Sequence, residues 1–254
     1  MKLDTYLRTR LQEREILLMT HIVLGYPSFE DCSHIIETMV RAGVDLVELQ
    51  IPFSEPIADG PVIVQANRSA LASGVTVQGC LDFAQEVAHA HDIPFLIMSY
   101  YNVIFRYGTE RFVSTLATRN LQGAITPDLP PEEGEEYLAA MREQELAPIL
   151  IFSPTTTEGR MEYLASLSSG FVYCVARKGV TGADTRFSDE MTSYLARCRR
   201  ATNLPLALGF GVRGKRDIDY LRGKSDIAVI GTRVMQIFRD EGLFAVEHFL
   251  KSLR

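Results

Sequence analysis

The sequence alternates eight times between a short apolar run and a segment in which apolar residues recur at helical spacing. The apolar runs predict strands at 16–24, 46–51, 95–100, 124–125, 148–152, 171–175, 206–208 and 227–230. Continuous apolar runs of this length are typical of strands buried on both faces, as in a parallel sheet. Helical patterns separate them at about 78–90, 109–119, 131–144, 157–168, 188–199, 214–223 and 233–253, and Ser28 can cap a further helix after the first strand.

Strand–helix alternation requires parallel strands joined by right-handed crossovers, and eight such units fit the size of a (β/α)8 barrel. The polar segment 1–14 carries apolar residues near helical spacing and predicts an extra helix before the first strand. A doubly wound sheet is the alternative, but it commonly opens with a glycine-rich fingerprint that Leu24-Gly-Tyr-Pro-Ser28 lacks. We therefore predict an α/β fold, a (β/α)8 TIM barrel with an extra N-terminal helix, formed by residues 1–254 as a single domain.

Composition narrows the class of function. The formal net charge of −6 argues against nucleic acid as a partner, because phosphate binding needs a basic face. No apolar run approaches the length of a membrane span, and the N-terminus lacks the apolar segment of a signal peptide. The four cysteines are far apart and predict reduced thiols of a cytoplasmic protein, rather than disulfides or zinc ligands.

The stretch 45–61 carries the first candidate site. Glu48 lies in the most apolar part of the second strand, and Asp59 lies in the proline-rich loop that follows it. A carboxylate on a buried strand together with a second one on the next loop is a common way to build an acid/base pair. The alternative is that Glu48 points to solvent from a half-exposed strand.

Glycine-bearing turns after the sixth, seventh and eighth strands form a second candidate site. They contain Gly182, Gly209 with Gly211, and Gly231 followed by Thr232. Glycine lets a backbone N–H approach a ligand, and a helix starting near Thr232 would direct its positive end to the same point. Because barrels often hold phosphate at the last two loops, we predict a phosphate site there. Arg233 could add charge or face solvent.

Other catalytic groups have less support. His21 lies inside the first strand and is predicted to be a packed polar residue rather than a catalyst, and the remaining histidines lack metal-ligand spacing. The predicted strands contain no lysine, which disfavours a Schiff-base aldolase. The residues thus predict an acid/base enzyme, without a metal, that acts on a small phosphorylated molecule.

The motif Glu48-Leu-x-Ile-Pro-Phe-Ser-x-Pro-x-Ala-Asp-Gly-Pro61 resembles the signature of the tryptophan synthase α subunit. The resemblance covers essentially the whole chain and includes Tyr100-Tyr-Asn102, Pro127-Asp-Leu-Pro130, Arg177-x-Gly-Val-Thr-Gly182, Gly209-Phe-Gly-Val212 and Gly231-Thr232. It implies a (β/α)8 barrel that cleaves indole-3-glycerol phosphate to indole and glyceraldehyde 3-phosphate by a retro-aldol step. It also implies an α2β2 complex, in which indole passes to a β subunit that holds pyridoxal phosphate, while this chain itself needs no cofactor.

The resemblance assigns roles to individual residues. Glu48 would carry the proton, Asp59 would bind the indole N–H, and Tyr173 would line the indole pocket. Thr181 would close over Asp59 on one of two mobile loops, 53–60 and 178–189, and Asp128 would lie near the β interface. The residues implied to contact phosphate are Gly182, Gly211, Gly231 and Thr232.

Some positions depart from the pattern. Gln50 stands where the family usually has glycine, Glu55 where it usually has aspartate, and Arg233 where small residues are common. They leave open the alternative of a catalytically weak α subunit that serves mainly to bind and activate the β subunit. A further alternative, a barrel resembling indole-glycerol-phosphate synthase, would require catalytic lysines on the strands.

Overall fold

The parallel strands of the computed structural model, which describes residues 2–175, 189–209 and 211–254, form a ring. In the described residues the strands are β1 Leu17–Val23, β2 Leu46–Gln50, β3 Phe95–Met98, β4 Gly123–Ile125, β5 Ala147–Ile149, β6 Ile151–Phe152, β7 Val172–Val175, β8 Leu206–Gly209 and β9 Ile227–Ile230. Their spatial order is β5-β4-β3-β2-β1-β9-β8-β7-β6. Only Leu150 separates β5 from β6, and its carbonyl accepts the Tyr173 N–H at 3.0 Å. The segments β5 and β6 therefore act as one strand, which closes the ring. The ring is a (β/α)8 barrel, as predicted.

Helices surround this ring. In the described residues they are α1 Leu3–Glu13, α2 Phe29–Arg41, α3 Pro61–Ala72, α4 Val77–Ala90, α5 Tyr101–Tyr107, α6 Thr109–Thr118, α7 Glu135–Glu143, α8 Glu158–Leu167, α9 Asp189–Ala201, α10 Lys215–Leu221, α11 Thr232–Glu241 and α12 Leu243–Ser252. The predicted cap at Ser28 is confirmed, since Ser28 accepts the Asp31 N–H, and Thr157 caps α8 by accepting the Arg160 N–H. None of the helices within the described ranges is long and apolar enough to cross a lipid bilayer.

Three features of the helices differ from the sequence prediction. The α3 helix was not predicted, and it begins at Pro61, expected in a loop, where the missing N–H of proline costs no hydrogen bond. The α5 helix follows directly after β3 and was not predicted. The predicted helix 233–253 is two helices, because Gly242 adopts a φ of 81° and ends α11.

The core has two layers because the strands are buried on both faces. Residues that point inward from alternate strand positions fill the barrel, among them Leu46, Leu96 and Phe171. The opposite faces pack against the helices in a second, larger cluster. The predicted N-terminal helix α1 packs Leu3 and Leu7 against the inner cluster, at the end where the strands begin. The other end, where the strands finish, is the mouth of the barrel.

A buried carboxylate anchors α1 to the barrel. The Asp45 side chain is fully buried just before β2 and accepts the Leu18 N–H at 2.8 Å. Arg10, Arg14 and Arg254 donate to the same carboxylate at 3.1, 2.9 and 2.5 Å. One side chain therefore joins the first helix, the second strand and the C-terminal residue.

Candidate active site at the barrel mouth

Glu48 points into the barrel from the middle of β2. Its side chain is buried, with 3% of the residue exposed, so the half-exposed alternative is wrong. The parallel register sets Glu48 beside His21 of β1, and His21 Nδ1 lies 3.2 Å from Glu48 Oε1. His21 is packed, as predicted, and it also contacts the candidate proton carrier.

Asp59 lies at the end of the loop between β2 and α3, where it is half-buried. Gln50 Nε2 donates to Asp59 Oδ2 at 2.7 Å, and the Tyr100 hydroxyl donates to the same oxygen at 3.2 Å. The Ala58 N–H donates to that hydroxyl at 3.0 Å, and the ring of Phe53 stacks on Tyr100 with centroids 5.1 Å apart. These contacts hold the loop, and with it Asp59, against the ends of β2 and β3.

Two titratable groups of the site, Asp59 and His21, have raised pKa values. Burial raises the pKa of Asp59, and His21, Gln50 and Tyr100 partly offset that rise. Burial by itself lowers the pKa of His21, but the charge and hydrogen bond of Glu48, with Asp59 and Gln50, outweigh it and the pKa is raised. Asp59 and His21 therefore each bind a proton more tightly than the same group would in water.

Tyr173 enters the same space from β7. Burial raises its pKa well above the ordinary value, with the charges of Glu48 and Asp59 adding to the effect, so the phenol stays neutral. Gly209 of the neighbouring strand β8 leaves room for this ring, since a Cβ there would lie 2.9 Å from the Tyr173 hydroxyl oxygen. The structure thus brings Glu48, Asp59 and Tyr173 to one site.

The predicted phosphate turns lie partly within the described residues. Gly231 precedes α11, which begins at Thr232, and the first turn of a helix presents N–H groups without intrahelical partners. Gly211 has a φ of 70° and is exposed beyond the end of β8. Arg233 is partly buried, and its guanidinium lies 5.9 Å from the centre of the Phe249 ring. Thr181 and Gly182 lie outside the described residues.

Several buried polar atoms at the mouth are left without a hydrogen bond. Across the described ranges, five buried side-chain nitrogen or oxygen atoms lack a partner, and three of them are His21 Nε2, Glu48 Oε2 and Gln50 Oε1. Buried polar groups are nearly always paired, so an unpaired cluster needs an explanation. Gln50 and His21 also interact with each other, so Glu48 Oε2 is the atom most in need of a partner, and a bound polar ligand would supply one.

Sequence reasoning did not identify the contacts of His21, Gln50 and Tyr100. The signal for the first two was present in the strand period, since inward residues recur at every second position. Leu17 and Met19 point into the barrel and His21 continues their row, while Gln50 continues the row of Leu46 and Glu48. Which of these side chains meet depends on the register between β1 and β2.

Together, the ring of parallel strands, the carboxylate pair and the open helix N-terminus define a (β/α)8-barrel enzyme with its candidate site at the mouth. The family described as tryptophan synthase alpha chain matches residues 7–248 of the chain. The chain belongs to the tryptophan synthase alpha chain family, whose members are lyases that cleave indole-3-glycerol phosphate and need no cofactor themselves.

Similar proteins span the whole chain. The tryptophan synthase alpha chain of Desulforapulum autotrophicum is 58% identical over 99% of each chain, and that of Syntrophotalea carbinolica is 55% identical over 99% of this chain and all of its own. Among solved structures, a Mycobacterium tuberculosis tryptophan synthase has a TM-score of 0.92 at 30% identity and covers 99% of this chain and 96% of that one. The name of the family implies a β-subunit partner.

Proposed function

We propose that Glu48 and Asp59 perform the retro-aldol cleavage of indole-3-glycerol phosphate to indole and glyceraldehyde 3-phosphate in this chain. The observation that carries the assignment is their convergence: a strand carboxylate with an unpaired Oε2 and a loop carboxylate lie at one mouth, beside a neutral tyrosine. Full-length similarity to tryptophan synthase alpha chains favours this enzyme over the catalytically weak binding subunit.

The residues divide the chemistry between them. Glu48 gives its proton to the indole ring carbon that bears the side chain, which turns the ring into a cationic indolenine. Asp59 accepts the indole N–H and stabilises that cation. The carbon–carbon bond then breaks, its electron pair returns to the ring, and the glycerol hydroxyl becomes the aldehyde as its proton goes back to Glu48. The protons balance, because the one that Glu48 gives is the one it recovers.

Binding groups hold the substrate at its two ends. Tyr173 lines the indole pocket, and the backbone at Gly211, Gly231 and Thr232 binds the phosphate, a role that the resemblance also gives to Gly182. The resemblance also gives Thr181, which lies outside the described residues, a role in substrate binding. The support from the described residues is the open first turn of α11 and the left-handed glycine at 211.

The product indole passes to a β subunit within an α2β2 complex, in which the β subunit holds pyridoxal phosphate. Exposed apolar side chains around the mouth support a docking surface there, since Ile57 is 72% and Phe105 is 65% exposed. They lie near the ends of β2 and β3, and exposed Asp128, after β4, accepts the Tyr101 N–H at 2.8 Å.

We place the chain in the cytoplasm as one domain of residues 1–254, and four free cysteines support a reducing compartment.

Release of indole tests the function directly. The purified chain is incubated with indole-3-glycerol phosphate, alone and with a tryptophan synthase β subunit, and indole is measured by chromatography. We expect indole in both mixtures and more with the β subunit, because docking at the mouth would help to exclude water from the site. An absence of indole from both mixtures would refute the proposed function and leave the binding subunit as the better account.

Replacing Gly209 by Ala should impair binding of the indole ring. The added Cβ would force Tyr173 to move by a fraction of an ångström to about one ångström, and misplacement on that scale can cost about 100-fold in rate. We expect kcat/KM for indole-3-glycerol phosphate to fall roughly 10- to 100-fold. Gly159→Ala on α8 is the matched control, since nothing lies within 4 Å of a Cβ there. Equal kcat/KM values for the two variants would show that Tyr173 does not line the indole pocket.

A further inference from the structure

Strands β1 and β2 give each carboxylate of the site a partner of its own. His21 Nδ1 lies 3.2 Å from Glu48 Oε1, and Gln50 Nε2 donates to Asp59 Oδ2 at 2.7 Å. Both partners are inward-facing strand residues, 8% and 0% exposed.

The imidazole of His21 lies between Gly231 and Glu48. On the β9 side, a Cβ on Gly231 would be 3.2 Å from the Cβ of His21 and 3.5 Å from its ring, so glycine leaves room for this side chain. On its β2 side, the ring meets Glu48. The other charged or titratable groups in the described residues around this pair are Asp59 on the loop, with Tyr100 behind it, and Tyr173 on β7. Tyr173 is neutral, so Glu48 and Asp59 are the negative charges near the ring.

We propose that His21 is a positioning residue for Glu48: it shares one proton with that carboxylate and keeps Oε1 engaged, so that Oε2 faces the substrate. This proposal rests on the proposed function of Glu48. The geometric support is the difference between the two carboxylate oxygens, since Oε1 lies 3.2 Å from His21 Nδ1 and buried Oε2 has no hydrogen bond from a protein group.

The shared proton has two arrangements with the same total charge. In one, an imidazolium lies beside a carboxylate. In the other, neutral His21 donates its Nδ1–H to Oε1 and the acid proton is on Oε2. An ordinary glutamate loses its proton near pH 4, whereas an ordinary histidine keeps one to about pH 6.5. The pair therefore retains, near neutral pH, a proton that an unpartnered carboxyl group would have released.

The electrostatics of the fold agree with this sharing. Burial lowers the pKa of His21, yet Glu48, with Asp59 and Gln50, brings it above 6.5. A raised pKa means that the proton binds the folded state more tightly than the unfolded chain. Its contribution to stability is complete below pH 6.5 and is lost as the pH rises through the folded-state pKa.

An NMR titration tests the sharing without using activity. The carbon-bound ring protons of the five histidines are followed with pH, and the His21 signal is assigned as the one missing from His21→Asn. We expect a pKa above 6.5 in the native chain and a fall of about one unit or more in Glu48→Gln. A His21 pKa that is unchanged in Glu48→Gln would overturn the proposal, whatever the chain catalyses.

The pH profile of indole release separates a positioning role from a merely structural one. His21→Asn can still donate a hydrogen bond but cannot carry the proton, whereas His21→Phe can do neither. We expect kcat of His21→Asn to fall about 10-fold or more at pH 8 and by a smaller factor at pH 6, with KM little changed. His21→Phe should lose kcat at both pH values, because Oε1 is then released.

Exposed His89 on α4 is the matched control, and His89→Asn should follow the native profile. A His21→Asn profile parallel to the native one would overturn the proposal, even if indole is released normally. If the native chain releases no indole while the titration behaves as expected, the proposed function fails and the proton sharing stands. The two ideas can therefore fail separately.

Discussion

Replacing Glu48 by Gln is expected to lower kcat for indole release by roughly 100- to 10,000-fold, the usual contribution of a positioned acid/base group. The amide has the same shape and its oxygen can still accept the Nδ1–H of His21, so the fold should be retained. Asp59→Asn is expected to cause a loss of similar order, because the amide cannot neutralise the indolenine cation. Its carbonyl oxygen can still accept from Gln50 and Tyr100, which keeps the loop in place.

The measurement is single-turnover and steady-state indole release, with urea unfolding of each variant as a check on folding. Glu86→Gln, at an exposed carboxylate on α4, is the control and should behave as the native chain. If either site variant keeps native kcat, the role assigned to that residue is wrong. A loss of kcat together with a loss of folding would instead assign the residue to stability.

Replacing Asp45 by Asn is expected to destabilise the fold by roughly 3–5 kcal/mol, because removing one partner of a buried ionic cluster leaves the others without compensation. Three guanidinium groups share this carboxylate, and burial lowers the pKa of Arg254, the most buried of them. The Leu18 N–H can still donate to the amide oxygen, so the loss is mainly electrostatic. The change should appear as a lower urea midpoint with little change in the slope of the transition.

Glu132→Gln is the matched control for Asp45→Asn. Its carboxylate pairs with Arg160 on the surface, where both side chains are at least one-third exposed, and an exposed pair contributes about 0–1 kcal/mol. A loss for Asp45→Asn no larger than that of the control would mean that the three arginines do not depend on the carboxylate. The α1 helix would then be held mainly by its buried side chains Leu3, Tyr6 and Leu7 and by the hydrogen bond from the Tyr6 hydroxyl to the Asp45 carbonyl.

Most of the barrel could be predicted from local patterns, and the exceptions have physical causes. The strands read as continuous apolar runs because both faces of each are buried, as all seven residues of β1 illustrate. The α3 helix was missed because it begins at Pro61, the last residue of a proline-rich stretch, and proline disfavours a helix interior but suits its first position. The break at Gly242 was missed because glycine within an apolar helical pattern does not by itself reveal a left-handed conformation.

The candidate site, like the fold, could be predicted only in part from the sequence. Glu48 stood out because a carboxylate is rare in an apolar run, and Asp59 because a proline-rich loop follows directly. Their partners did not stand out, because a histidine or glutamine on a strand is compatible with simple packing. The contact between His21 and Glu48 required the register that aligns these two positions across β1 and β2.

The sequence by itself determined the class of fold and the residue types of the chemistry, because burial period and residue chemistry are local properties of the chain. Only the tertiary structure decided which polar side chains meet at the mouth: His21 with Glu48, and Gln50 with Asp59. The physical reason is that these contacts join residues whose distance depends on the pairing of strands and the path of a loop. A shift of one residue in that register would turn the same side chains to the other face of the sheet.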